Sequence, residues 1–236
     1  MNIAVILAGG TGSRMGIVDK PKQFIDIYGK PIIAYTLEVF DNHPEIDCIA
    51  VVCLKEWMDD LRILLRKHEI NKVKWIVDGG QTRQESVYNA INTLSNEYKD
   101  NDILIIHDSV RPLVSHKIIS SNISGAKEFG AVNTVIPSAD TIVKSIDGDT
   151  IKEVPARSEL FVGQTPQSFK FSLIREAHDN AIKQNNLNST DDCQLVLGLG
   201  QKVHLVMGEK LNFKITSFDD LLLLKAIIKL GNTEMI

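Results

Sequence analysis

The first residues able to do chemistry form a glycine-rich stretch followed closely by cations. Ala8-Gly9-Gly10-Thr11-Gly12-Ser13-Arg14-Met15-Gly16 is succeeded by Lys20-Pro21-Lys22-Gln23. Glycines let backbone N–H groups approach phosphate oxygens closely. Arginine offers phosphate a planar fork, and lysine a mobile point charge. The whole string reads as a polyphosphate clamp rather than a solvated surface turn. Two familiar nucleotide loops do not fit it. A P-loop requires Gly-Lys-Ser/Thr after its spacer, which is missing here. The dinucleotide fingerprint requires a third glycine where Met15 stands, and an acid at the end of the second strand, where Val52-Cys53-Leu54 has none.

Further polar groups recur along the chain: Asp78-Gly79-Gly80 with Arg83 and Ser86, and His107-Asp108-Ser109-Val110-Arg111-Pro112. After them come Asp140-Thr141, Arg157, Gln164-Thr165-Pro166-Gln167, Thr190-Asp191-Asp192 and Asn212-Phe213-Lys214. Singly, each has an ordinary role as a turn Asp, a strand Thr or a solvated Arg. His107, at a strand end, is expected to pack and hydrogen-bond. Asp191 and Asp192 are expected to start a helix rather than hold a metal. The three cysteines, Cys48, Cys53 and Cys193, match no disulfide or zinc framework.

The elements that must position these residues follow from hydrophobic patterning. Ile3–Leu7, Ile49–Cys53, Val73–Val77, Ile103–Ile106 and Ala131–Ile136 read as strands. Most are continuously apolar, as parallel strands buried on both faces are. Pro31–Phe40, Trp57–His68, Glu85–Leu94 and His116–Phe129 read as the intervening helices, with Ser115 capping the last and Gly130 ending it. Such alternation predicts an α/β fold with a mostly parallel open sheet flanked by helices. The alternation breaks at 139–160, where two short runs flank Asp147-Gly148, a strong hairpin signal. A helix (Phe171–Asn185), strands (Lys202–Val206 and Phe213–Thr216) and a final helix (Asp219–Leu230) are expected after it. One domain over 1–236 with a protruding β-hairpin arm at 139–160 is the simplest account.

Composition sets outer bounds. The chain has 236 residues, 44% hydrophobic and 24% charged, which excludes a disordered chain. A net charge of -4 and a pI near 5.9 argue against a nucleic-acid-binding face. No stretch reads as a signal peptide or membrane span, so a cytoplasmic setting is expected.

Taken in order, these motifs resemble the sugar-phosphate nucleotidyltransferases. More narrowly, they resemble the cytidylyltransferases that act on methylerythritol 4-phosphate and ribitol 5-phosphate. The resemblance covers nearly the whole chain. It implies a Rossmann-like fold of the nucleotide-diphospho-sugar transferase type and the condensation of CTP with a polyol phosphate. It implies that Arg14, Lys22 and Lys214 carry catalysis, with Gly10 helping Arg14 and Lys22 to hold the triphosphate. Ala8, Gly9, Gly80 and Ser86 would surround the cytosine. Asp108 would face nucleotide, substrate hydroxyls and a metal, while Arg111, Thr141, Arg157, Thr165 and Lys214 would grip the polyol phosphate. Mg²⁺, held mostly by CTP, is the implied cofactor, with no organic cofactor. The implied partner is a second copy, a homodimer joined through the arm, and neither nucleic acid nor membrane.

Within that family, Leu-Ala-Gly-Gly at 7–10, Ser109-Val110, Phe161-Val162-Gly163-Gln164-Thr165-Pro166 and Thr190-Asp191-Asp192-Cys193 lean toward ribitol 5-phosphate. The alternatives are the methylerythritol 4-phosphate enzyme, a general nucleotide-sugar transferase and an inactive nucleotide-binding relative.

Overall fold

The computed structural model describes residues 1–10 and 20–231. Its main sheet has seven strands. They are β1 (Asn2–Ala8), β2 (Cys48–Cys53), β3 (Val73–Asp78), β4 (Ile103–Asp108), β5 (Ala131–Pro137), β6 (Phe161–Lys170) and β7 (His204–Met207). Across the sheet the order is β3-β2-β1-β4-β6-β5-β7. β1 pairs in parallel with β2 and β4, β2 with β3, and β5 with β7. β6 alone runs against its neighbours β4 and β5.

The apolar strand runs are explained by burial on both faces. On one face, Ala4, Ile6, Ile49, Val51 and Ile105 pack with α1 (Ile32–Asn42), α2 (Met58–Lys67) and α4 (His116–Phe129). On the other, Ile3, Val5, Ala50, Val52 and Ile106 pack with α3 (Arg83–Leu94), α5 (Phe171–Lys183) and α6 (Asp192–Gly198). Successive strand residues thus serve opposite layers. A third cluster joins Ile32, Val110, Leu113 and Ile215 to Leu221 and Leu224 of α7 (Phe218–Lys229). It fastens the chain's last segment across the carboxyl edge of the sheet.

Caps fall where residue types favour them. Ser115 accepts a hydrogen bond from Ile118 N, and Gly130, at φ 89°, ends α4. Thr82 caps α3, and Ser217 with Asp220 forms a capping box on α7. Asp191 caps α6 through Cys193 N.

Three expectations need correction. First, β6 lies in a stretch assigned no element by patterning. It holds Gly163, Gln164, Pro166 and Gln167, a composition that suggests a loop. Its polar side chains are instead buried and bonded: Gln164, Thr165, Gln167 and Ser168 are all less than 9% exposed. Second, Phe213–Thr216 is not a strand. It is held by isolated contacts, such as Ile215 N to the Val110 carbonyl at 2.9 Å. Third, the arm at 139–160 protrudes but is not a regular hairpin. Lys144 and Glu153 form an isolated bridge, and Ser138 N meets the Leu160 carbonyl at 3.0 Å to close the base. The Asp147-Gly148 turn is present, with Gly148 at φ 78°.

Candidate active site

The parallel register brings the ends of three strands to one edge. Leu7 pairs with Asp108 and Ala8 with Cys53, so the glycine-rich stretch, the Gly79-Gly80 turn and the His107-Asp108 segment meet there. This is the edge where open α/β sheets bind ligands. Arg14 lies outside the described residues.

Gln23 holds the entry to the glycine-rich stretch. Its Nε2 donates to the carbonyls of Ala8 (2.7 Å) and Gly10 (3.0 Å). The side chain is buried, and nothing but its place in the Pro-Lys-Gln string singled it out. Gly10 is exposed, and a Cβ placed on it would meet none of the described residues. A Cβ placed on Gly9 would lie 3.4 Å from Ser86 Oγ, an ordinary contact. The conformation therefore does not force glycine there. Lys22 Nζ donates to the Ile215 carbonyl at 3.0 Å, tying the first loop to the last segment.

Opposite Gly9, the Gly79-Gly80 turn is fixed in turn by α3. Gly80 N donates to Ser86 Oγ (3.0 Å), and Ser86 Oγ donates to the Thr82 carbonyl (3.0 Å). Ser86 is thus spent on shaping the turn. A Cβ at Gly80 would fall on the Glu85 side chain, so the close approach itself requires glycine.

Asp108 is the centre of the cluster. Its Oδ2 accepts Arg111 Nε at 3.2 Å and pairs with Lys214 Nζ at 3.0 Å. Burial alone would push its carboxyl up, but the Lys214 and Arg111 cations hold it well below the usual carboxylate range. Arg111 is braced by Nη1 on the Asn212 carbonyl at 2.8 Å. Asn212, fully buried, donates from Nδ2 to the Gln164 side-chain oxygen (3.0 Å) and the Thr165 carbonyl (2.8 Å). Lys214 is a third exposed and so faces both the carboxylate and the opening. Thr165 Oγ1 accepts Asp108 N–H at 3.1 Å and lies 3.0 Å from His107 Nδ1.

Asp108, Arg111, Thr165 and Lys214 therefore share one connected network, with Lys22 attached through Ile215. Thr141 and Arg157 do not join it. Both are exposed on the arm, and Arg157 Nη1 donates to the Ala139 carbonyl at 3.3 Å within that arm.

A second buried group stands behind the edge. Arg83 Nη2 meets Asp192 Oδ2 at 2.7 Å, and His178 Nε2 lies 3.1 Å from Asp192 Oδ1. Burial would raise Asp192's pKa, but Arg83 and then His178 lower it. Asp191 and Asp192 both start a helix as expected, Asp191 as its cap and Asp192 in its first turn, where Asp192 also anchors the buried ion pair. Arg83 and Gln23 are structural supports that sequence alone did not assign; only their positions inside motif strings hinted at them. The cysteines are buried. Burial pushes the Cys53 thiol up to about 12, which disqualifies it as a nucleophile at neutral pH.

Among the described residues, no three His, Cys, Asp or Glu side chains gather as a metal site, and no helix is long and apolar enough to cross a membrane.

Known proteins resemble this chain over nearly its whole length. The chain matches the family described as IspD: 2-C-methyl-D-erythritol 4-phosphate cytidylyltransferase over residues 2–230. It is 42% identical over 228 residues to the ribitol-5-phosphate cytidylyltransferase of Vibrio parahaemolyticus serotype O3:K6 (strain RIMD 2210633), covering 97% of this chain and 96% of that protein. Its fold is similar to 4-diphosphocytidyl-2C-methyl-D-erythritol synthase from Anaerococcus prevotii DSM 20548 (TM-score 0.82, 26% identity, 97% of this chain and 96% of that one). It is also similar to the 2-C-methyl-D-erythritol 4-phosphate cytidylyltransferase of Francisella tularensis (TM-score 0.80, 29% identity, 96% and 99%).

Proposed function

The chain belongs to the 2-C-methyl-D-erythritol 4-phosphate cytidylyltransferase family of nucleotidyltransferases, and from that premise we propose that it condenses CTP with D-ribitol 5-phosphate to give CDP-ribitol and pyrophosphate. The observation that carries the choice of polyol is the 42% identity, over nearly both full lengths, to a protein named for ribitol 5-phosphate. The family description and the solved structures favour methylerythritol 4-phosphate as the second reading.

The chemistry asks for positioning and charge neutralisation. A substrate phosphate oxygen attacks the α-phosphorus of CTP in line, the new P–O bond forms, and the bond to pyrophosphate breaks. A phosphate monoester, with a second pKa near 6, is already mostly dianionic at neutral pH, so no strong base is needed. Two anions must be held together and the growing charge neutralised.

The buried Asp108 cluster suits that task. In this reading Gly10, Arg14 and Lys22 hold the triphosphate. Ala8, Gly9 and Gly80 line the cytosine, with Ser86 shaping the Gly80 turn. Asp108 takes hydroxyls, while Arg111, Thr165 and Lys214 line the polyol phosphate's place. Thr141 and Arg157 complete the site from the arm of a second copy in a homodimer. The exposed apolar side chains Ile146 (74%) and Ile151 (64%) on the arm support such an assembly.

Mg²⁺ completes the proposal, and when bound it neutralises phosphate charge. Asp108 already pairs with two cations, so the donor set fits an ion held mainly by triphosphate oxygens, with Asp108 the carboxylate the chain can add. The protein works in the cytoplasm as one nucleotidyltransferase domain over 1–236, without an organic cofactor, nucleic acid or membrane.

The test is pyrophosphate release with CTP and Mg²⁺, run in parallel on D-ribitol 5-phosphate and methylerythritol 4-phosphate. A strong preference for ribitol 5-phosphate is expected. Preference for methylerythritol 4-phosphate overturns the choice of polyol, and silence with both overturns the enzyme reading.

A further inference from the structure

Thr165 has all but one of its bonding positions fixed. Its oxygen accepts Asp108 N–H at 3.1 Å, and 3.0 Å away stands His107 Nδ1. The other ring nitrogen of His107, Nε2, lies 3.2 Å from the Arg111 carbonyl oxygen. A carbonyl oxygen only accepts, so Nε2 must carry a proton. The ring is fully buried, with the Arg111 and Lys214 cations already placed around the adjacent Asp108, so a second ring proton would add an unpaired buried charge; the ring holds one proton and Nδ1 presents a lone pair. The ring cannot turn freely, because it is fully buried and packed against Phe40, with ring centroids 5.1 Å apart.

The consequence passes to Thr165. Its hydroxyl proton is committed to Nδ1, and one lone pair to Asp108 N–H. A hydroxyl has two acceptor positions, so one remains, and it can only accept. A phosphate dianion has no proton to offer it, whereas a polyol hydroxyl does. The geometry points to His107 as a positioning residue that reserves Thr165 as an acceptor for a hydroxyl of the polyol rather than for its phosphate, an assignment that rests on the polyol-phosphate reading above. Phosphate is left to the cations Lys214 and Arg111.

Two measurements test this. In wild-type protein with ¹⁵N-labelled histidine, two-bond proton–nitrogen correlations report which ring nitrogen bears the proton, and His107→Gln identifies the signal. A proton on Nε2 alone is expected at neutral pH; a proton on Nδ1 overturns the inference.

Kinetics supply the second arm. A Gln amide at 107 reaches the Nε2 position and keeps the Arg111 bond, but leaves the Thr165 proton free. An Asn amide oxygen stands near the Nδ1 position and keeps the acceptor. Losing a neutral hydrogen bond is worth about tenfold in binding. His107→Gln should therefore raise KM for D-ribitol 5-phosphate about tenfold, with kcat and KM for CTP near wild type, and His107→Asn should recover most of the loss. Thermal unfolding shows that each variant folds. A wild type idle on every polyol phosphate sinks the functional reading, and this inference with it, before any variant is made. An active wild type with an indifferent His107→Gln, or with both KM values raised equally, sinks this inference alone.

Discussion

Two aspartates, one in the sheet edge and one at the tip of the arm, are both held well below the usual carboxylate range, for opposite reasons. Asp108 is buried, and two cations outweigh the cost of removing its charge from water. Asp147 is fully exposed and held by neutral donors of its own turn: the Thr150 hydroxyl at 2.6 Å, then Thr150 N at 2.9 Å and Asp149 N at 3.0 Å. A carboxyl kept ionised by neighbouring cations inside a cleft is poised to organise charged ligands. One kept ionised by a solvated turn only shapes that turn. The sheet edge is preorganised by the interior of one chain, whereas the arm carries Thr141 and Arg157 on exposed backbone with few contacts beyond the arm itself.

The sharpest way to break this contrast is to remove the cation shared by Asp108 and the opening. Lys214→Ala should lower kcat for pyrophosphate release by roughly 10²–10³, the range for loss of one electrostatic donor in a preorganised site. A folded variant with wild-type turnover would reduce the edge cluster to scaffolding.

Next is a pH effect confined to the interior. The folded His107 imidazole stays neutral down to about 4, while an unfolded one gains its proton near 6.5. Between those values the unfolded chain binds the extra proton, so stability rises with pH across the window and falls as pH drops through it. The loss attributable to His107 should reach about 3 kcal/mol by the lower end. Urea unfolding across this range, compared between wild type and His107→Gln, measures it. Identical slopes in the two proteins would show that the imidazole is not the buried neutral group described here.

The arm should behave in the reverse way, with function altered and stability untouched. Arg157→Ala removes an exposed side chain, so unfolding should stay within about 0.5 kcal/mol of wild type. KM for the polyol phosphate should rise roughly tenfold to a hundredfold, as for a lost charge-assisted hydrogen bond. With polyol phosphate well below the raised KM, mixing Arg157→Ala with Lys214→Ala subunits should give more activity than either variant alone, because one mixed site takes an intact edge from the first chain and an intact arm from the second. No recovery on mixing, with both proteins folded, would place the arm's action within its own chain.

How much of this could be read from sequence follows the same division. Strands such as Ile49–Cys53 and Ile103–Ile106 were legible because burial on both faces leaves them no polar residues to obscure the pattern. Asp108, Arg111 and Lys214 were legible through the order of their motifs, not by type, since each alone is ordinary. β6 was not legible. Its buried positions include Gln164, Thr165, Gln167 and Ser168, whose side chains bond to groups on neighbouring segments, among them Asn212, His107, Asn133, Asp191 and Asn122, and a strand stabilised that way has no hydrophobic signature. Pro166 added a second false signal, although its carbonyl accepts Thr134 Oγ1 at 2.6 Å. Gln23 and Asn212 were hidden for the same reason: an amide that braces a loop through backbone carbonyls looks like any surface amide until the partners are known. Phe213–Thr216 failed oppositely, an aromatic and β-branched run whose backbone N–H groups meet one carbonyl, of Val110, and one carboxylate, of Asp220, rather than a ladder.

The smallest expected effect separates the two aspartates most directly. Asp147→Ala removes the acceptor for the Asp149 and Thr150 amides, yet those groups face water and can rebond to it, so nothing is left buried and unsatisfied. Hydrogen exchange at the amides of residues 148–150 should quicken, while the thermal midpoint and turnover on saturating substrates stay at wild-type values. That outcome means the low-lying carboxyl at the tip is a local feature of the turn. A fall in turnover comparable to that of Lys214→Ala would mean the opposite: the tip's shape would be transmitted to a site, and a carboxyl bonded only to its own turn would then be as much a part of the chemistry as one buried between two cations.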